Sequence, residues 1–257
     1  MPQKILCYTL ALDLKHVKFY RQQAQMMVAS LKRSGFTGDI KIIRNGDTVI
    51  FNRSYPDVEE IRIDTPPTTK DCYRIKYKAR DLFAVEGYDW VLFLDSDFIV
   101  NMKLDSWFIG PEVIRYATEP GLEIQLPQFN ALLTEDEMEN LKQAGVNAGI
   151  FVVKAEYFRE VMARWEEIEA EESFRWEVDD QHAWNRLLLD TLLPIKLLAE
   201  PEVGYFYHKS HVIEMIKAPI LHFCGSSEGE KVLAMQAKFI SQFHTDGDGT
   251  LIRLLER

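Results

Sequence analysis

The chain has 257 residues, 47% apolar and 12% aromatic, enough to bury a large core in one α/β domain or two intimately packed halves, which excludes a disordered chain. A formal charge of -10 and a pI near 5.2 argue against a general nucleic-acid binder, which shows a basic face to displace counterions from phosphates. Cys7, Cys72 and Cys224 are odd in number and far apart, so reduced and mostly buried thiols are expected rather than a disulfide framework.

The apolar run near the N-terminus soon meets Asp13 and Lys15 and reads as too short and too polar for a signal peptide, and no apolar run approaches the ~20 residues of a membrane span. A soluble protein in a reducing cytoplasm is the expectation. Residues 4–12 (KILCYTLAL) are short, apolar and bounded by charge, and they read as a buried strand. Over residues 15–34, Val17, Tyr20, Ala24, Met27, Val28 and Leu31 recur at three- and four-residue steps, predicting an amphipathic helix that Gly35 stops. Residues 39–43 and 60–63 are strand candidates. Pro66 and Pro67 break the chain before a basic helical segment, residues 73–85, which Gly87 ends.

Residues 88–94 (YDWVLFL) form the most strand-like run in the chain. Further on come a strand at 148–153, helices at 157–171 and 181–189, a strand at 219–223 and a helix over roughly 231–243. The acidic run at 166–172 reads as an exposed helix surface, and Tyr205, Phe206 and Tyr207 read as core. This alternation predicts an α/β fold, a mainly parallel sheet covered by helices, with ligands gathering beyond the carboxyl ends of the strands.

In VLFLDSDFIV, Asp95 and Asp97 follow four apolar residues, where a buried strand reaches the rim of the sheet. In extended chain, residues two apart project to the same side, so both acids approach one cation while Ser96 turns away. Unpaired, they repel and lose hydration; a divalent ion relieves both costs. Hard carboxylate oxygens suit Mg²⁺ or Mn²⁺, which can neutralise the diphosphate of a nucleotide sugar. The plainer alternative is a strand-end loop with both acids in water.

Four motifs follow one another along the chain. The strand and acid pair FLDSD come after a basic helix carrying Lys78; Asn147-Ala148-Gly149 lead into IFVV; Asp180-Gln181 stand before Asn185; and residues 221–225 read LHFCG. Together they resemble the metal-dependent glycosyltransferases of the GT-A fold, particularly the group containing glycogenin and bacterial lipooligosaccharide galactosyltransferases. The resemblance implies a GT-A (Rossmann-like) fold, a mainly parallel mixed sheet flanked by helices in a single domain over 1–257. Its nucleotide-binding half would be 1–100 and its sugar- and acceptor-binding half 101–257.

The implied activity is hexosyl transfer from a nucleotide-diphosphate sugar, a UDP-sugar, to a glycan, lipid, protein or small-molecule acceptor that the sequence does not name. Stereochemistry would be retained, with the departing phosphate assisting deprotonation. Mn²⁺ or Mg²⁺ would be held by Asp95, Asp97 and His222. Thr9, Leu10 and Ala11 would line the base and ribose. Lys78, Ser96 and Gly225 would serve the donor, Asn147, Ala148 and Gly149 its sugar pocket, and Asp180 with Gln181 would orient the transferring sugar.

The chain departs from the family at three places. His182 and Trp184 replace the second acid and the leucine of a D-Q-D-x-L-N pattern, and SSEGEK stands where lysine, proline and tryptophan often follow the glycine, so that Lys231 comes late. Two other readings stay open, a catalytically silent nucleotide-sugar or glycan-binding protein and a phosphatase of the haloacid dehalogenase type. The latter expects threonine or valine where Phe98 stands. Asp179 and Asp180 could instead cap a helix starting near Gln181, and Lys76, Lys78 and Arg80 could be a solvated helix face.

Overall fold

A computed structural model describes residues 3–13, 20–47, 50, 55–130, 132–141, 144–171, 179–198, 202–205, 218–223, 234–236, 243–245 and 251–253. The first elements are β1 (Ile5–Ala11), α1 (Tyr20–Arg33), β2 (Asp39–Arg44) and β3 (Val58–Arg62). Helix α1 buries Ala24, Met27, Val28 and Leu31 on one stripe. It stops where the sequence says it should: Gly35 takes φ 88°, and the amides of Gly35 and Phe36 donate back to the Lys32 and Leu31 carbonyls.

Helix α2 (Thr69–Lys78) begins earlier than the apolar spacing predicts, because Thr68 caps it by accepting from the Asp71 amide at 3.1 Å. It also ends earlier, tightening into a 3-10 turn over Ala79–Asp81. Strand β4 (Trp90–Leu94) is fully buried, and β5 (Phe98–Val100) follows after a turn. The chain continues through β6 (Ile114–Glu123), α3 (Pro127–Asn130), α4 (Glu135–Asn140), β7 (Ala144–Lys154), α5 (Ala155–Glu171), α6 (Asp179–Asp190) and β8 (Ile195–Leu197). It closes with β9 (Val203–Tyr205), β10 (Ile220–His222), β11 (Phe243–Thr245) and β12 (Leu251–Arg253). The helix expected over 231–243 is corrected at its end: residues 234–236 are helical, but Phe243 opens β11, which pairs antiparallel with β12.

Seven strands form a mixed, largely parallel sheet in the order β3-β2-β1-β4-β7-β6-β8, with flanking helices, an α/β architecture compatible with a Rossmann-like fold. β2 with β3 and β6 with β8 are parallel, whereas β6 and β7 are antiparallel. No helix among the described residues is long and apolar enough to cross a membrane.

The chain divides into two compact units, one of Met1–Leu6, Pro66–Phe93 and Gly110–Leu198, the other of Cys7–Thr65, Leu94–Ile109 and Ala199–Arg257. Each unit therefore draws on both of the halves 1–100 and 101–257. In the first, α5 buries Phe158, Val161, Met162, Trp165 and Ile168 at helical spacing. Trp165 and Trp184 meet at 4.6 Å between ring centroids, and Phe151 lies 4.9 Å from both Trp184 and Phe93, a continuous aromatic core. In the second, Ser30 of α1 fastens β5: its Oγ donates to the Met27 carbonyl at 2.7 Å and accepts from the Val100 amide at 2.9 Å.

Gly145 on β7 carries a steric requirement rather than a conformational one. A Cβ there would overlap the buried ring of Phe129, which packs with Ile124 and Leu133. Gly145→Ala is expected to destabilise the protein by about 1–3 kcal/mol, the usual cost of overpacking, measured by urea denaturation. An unchanged midpoint would show that α3 moves aside freely.

Candidate functional site

The acid pair lies in the second unit, on a turn. Strand β4 ends at Leu94, and the Phe98 amide donates to the Asp95 carbonyl at 3.3 Å, closing residues 95–98 into a reverse turn. The expectation of extended backbone there is thus corrected. Ser and Asp satisfy neighbouring backbone groups and favour turns, which the apolar run before them conceals. Ser96 is buried: its Oγ lies 3.4 Å from Gln23 Oε1, and its carbonyl accepts from Gln236 Nε2 at 3.1 Å. Both acids are half-buried.

Strand β10 delivers the histidine. It pairs antiparallel with β5 in a register that sets His222 opposite Phe98, and the two rings stack with centroids 4.1 Å apart at 11°. The next amide, Phe223, donates to the Asp97 carbonyl at 3.0 Å. His222 Nε2 consequently stands 3.3 Å from Asp97 Oδ1. That oxygen is buried and has no aligned hydrogen-bond donor among the described residues, so the contact is one of proximity rather than a formed hydrogen bond.

Asp95 does not complete a three-membered cluster: among the described residues no group of three or more His, Cys, Asp or Glu side chains is close enough to hold a metal ion. Its charge instead falls on Tyr8, whose hydroxyl is pushed well above the usual range by burial first, then by Asp95 and Cys7. One carboxylate oxygen beside one imidazole nitrogen is a mixed hard and borderline donor pair, which suits Mn²⁺ better than Mg²⁺ and leaves the other ligand positions to water or substrate oxygens. Thr9, Leu10 and Ala11 are buried within β1, and Thr9 Oγ1 has no hydrogen-bond partner among the described residues. Beyond them Asn45 clasps Asp13, accepting from its amide at 2.9 Å and donating to its carbonyl at 2.7 Å, while Arg21 pairs with its carboxylate at 2.8 Å.

Lys78 and the motif residues at 147–149 and 180–185 belong to the first unit. β6 pairs Tyr116 with Phe151 but the next residue, Ala117, with Asn147, so Ala148, Gly149 and Ile150 bulge from β7. Asn147 holds the bulge from within: its Oδ1 accepts from the Gly149 amide at 2.7 Å and its Nδ2 donates to Glu119. Asn185 holds it from α6, pairing with the amide and carbonyl of Val146 at 2.9 and 2.8 Å and donating to the Gln181 carbonyl at 2.7 Å. Both amides therefore build the scaffold of the segment.

Lys78 is exposed at the end of α2, whereas Lys76 is 4% exposed. Lys76 Nζ lies 2.8 Å from Asp180 Oδ2 and donates to the Ala148 carbonyl at 3.3 Å, joining α2, α6 and the bulge. Asp180 stands in the first turn of α6, itself 3% exposed, with its carbonyl accepting from Trp165 Nε1 at 3.0 Å. Gln181 beside it is half-buried. His182 and Trp184, the two departures from the family pattern, are both buried, and Trp184 belongs to the aromatic core. The acidic run at 166–172 is not all surface: Glu169 is 4% exposed and takes Arg74 Nε at 2.7 Å.

The motif reading missed Lys76, Glu119 and Gln236. A signal for Lys76 was present, because Tyr73, Lys76, Tyr77 and Arg80 recur at three- and four-residue steps on one helix face; Lys78 lies off that face. Gln236 and Glu119 carry no local signal. Gly225, Cys224 and Lys231 lie outside the described residues. Cys7 and Cys72 are free, and desolvation followed by the Asp71 charge pushes the Cys72 thiol up to about 11. A cavity of about 320 Å³ beside Val161, Arg164, Leu187 and Asp190 contains none of the motif residues. No protein-family model matches the chain, and no curated protein matches it either.

Proposed function

We propose that the chain is a metal-dependent glycosyltransferase, moving a hexosyl group with retention from a nucleotide-diphosphate sugar, a UDP-sugar, to an acceptor hydroxyl. The observation that carries the reading is the meeting of Asp97 and His222, 125 positions apart in sequence but 3.3 Å apart in space, beside a strand-end turn. A buried carboxylate oxygen without an aligned donor is a costly feature in a protein that never receives a cation there.

In this reading Asp97 and His222 offer a carboxylate oxygen and an imidazole nitrogen, with Asp95 contributing negative charge from the same turn. A bound Mn²⁺ or Mg²⁺ supplies positive charge to the departing diphosphate. Within the first unit, Lys76 fixes the position of the Asp180 carboxylate beside Gln181.

A thermal-shift panel of UDP, GDP, their sugars and phosphomonoesters, each with and without Mn²⁺, tests this. At 100 times the dissociation constant, UDP with Mn²⁺ is expected to raise the midpoint by roughly 5–10 °C. Transfer or slow donor hydrolysis should require the metal. Release of phosphate from simple phosphomonoesters, with no response to nucleotide sugars, would move the chain to the phosphatase reading. Tight UDP binding with neither transfer nor hydrolysis would make it a silent binding protein.

A further inference from the structure

We propose that Gln236 is a direct oxygen ligand of the divalent cation at the acid turn, a role that rests on the glycosyltransferase reading of that turn. Gln236 is fully buried, on a helical turn far along the chain, and its Nε2 donates to the Ser96 carbonyl at 3.1 Å across 140 residues. Ser96 stands between the two acids, and its carbonyl belongs to the peptide bond that leads into Asp97. The carboxamide is therefore seated against the backbone of the residue that meets His222.

The other end of the same carboxamide is what calls for a ligand. Gln236 Oε1 is buried and has no hydrogen-bond partner among the described residues, and Asp97 Oδ1 is buried and lacks an aligned donor. Both atoms are acceptors that carry no proton, so neither can satisfy the other. Only a donor or a cation satisfies them. An amide oxygen is a hard ligand of the class that serves Mg²⁺, Ca²⁺ and Mn²⁺, and it adds a ligand without adding charge. Beside Asp97 and His222 it would add a third donor to the cation. The Nε2–H bond fixes the plane of the carboxamide and hence the direction of its oxygen.

The test is a titration of the full chain with Mn²⁺ alone, read by the loss of the free-ion EPR signal, for the parent protein, Asp97→Asn, Gln236→Leu and Gln236→Glu. Leaving out nucleotide separates cation ligation from acceptance of a ribose hydroxyl. Gln236→Leu is expected to weaken Mn²⁺ binding about tenfold or more, a loss typical of groups around a metal site. Gln236→Glu is expected to bind at least as tightly as the parent, because it keeps the oxygen and adds charge while losing the donor to Ser96. Circular dichroism without metal checks that each variant is folded, and the glutamate variant decides the matter if the leucine variant is not.

Gln236→Glu binding as weakly as a folded Gln236→Leu would overturn the proposal, leaving the side chain only its hold on the turn. So would parental binding by Gln236→Leu while Asp97→Asn binds nothing, an outcome that spares the glycosyltransferase reading. A parent protein that takes up no Mn²⁺ would sink both.

Discussion

Lys76→Met is expected to lower stability by about 3–5 kcal/mol, the cost of stranding one member of a buried ion pair. Lys76 and Asp180 have side chains only 5% and 4% exposed, and their charged atoms are 2.8 Å apart. Methionine fills much the same volume without the ammonium, so the lost energy comes from the carboxylate left behind rather than from a cavity. The double variant Lys76→Met, Asp180→Leu removes both charges and should regain most of the loss, since apolar replacement of a whole buried pair is often neutral or stabilising. Urea denaturation of the two single variants and the double one closes the cycle. A single variant within about 0.5 kcal/mol of the parent would mean that water reaches the pair, contrary to its burial.

The same pair explains why the motif reading and the structure distribute the lysines differently. A basic run on a helix offers no way to tell a lysine that turns inward unless the neighbouring aromatic residues are read on the same face. Lys76 shares its face with Tyr73 and lies 5.7 Å from that ring's centroid and 5.4 Å from that of Phe93. Such surroundings hold a cation well, through ring faces and an acid at its tip. Lys78, two residues on and 200° round a helix of 3.6 residues per turn, is turned to water.

The strands and helices with a clean period were legible: α1 from its three- and four-residue spacing, β1 and β4 from short apolar runs, α5 from its apolar stripe. Strand β6 was not, because Pro120 and Gly121 interrupt it and it pairs with β7 through register shifts, both of which erase a two-residue alternation. Strand β5 is three residues long, too short to show any period. At the candidate site the residue types were readable, but their geometry was not. The apolar residues on both sides mask the turn preference of Asp95, Ser96 and Asp97 and make the segment read as the continuation of a strand. The partners of that turn, His222 and Gln236, are set by tertiary pairing more than a hundred residues away.

Asp97→Asn is expected to reduce metal-dependent transfer by roughly 10²–10³-fold, because charge neutralisation of a leaving diphosphate is worth several kcal/mol and each 1.36 kcal/mol is tenfold in rate. Asparagine is the informative replacement. The Phe223 amide bonds to the backbone carbonyl of residue 97 and the Phe98 amide to that of residue 95, so neither contact depends on the carboxylate. His222 also keeps its stacking on Phe98 at 4.1 Å and its register on β5. The turn and the histidine therefore stay in place, and the thermal midpoint without metal should match the parent within about 1–2 °C, as for changes that leave packing intact. A loss of activity accompanied by that unchanged midpoint assigns the effect to the missing charge. Parental transfer rates with an unchanged requirement for Mn²⁺ would remove Asp97 from the metal site, and with it the contact on which the proposed activity rests.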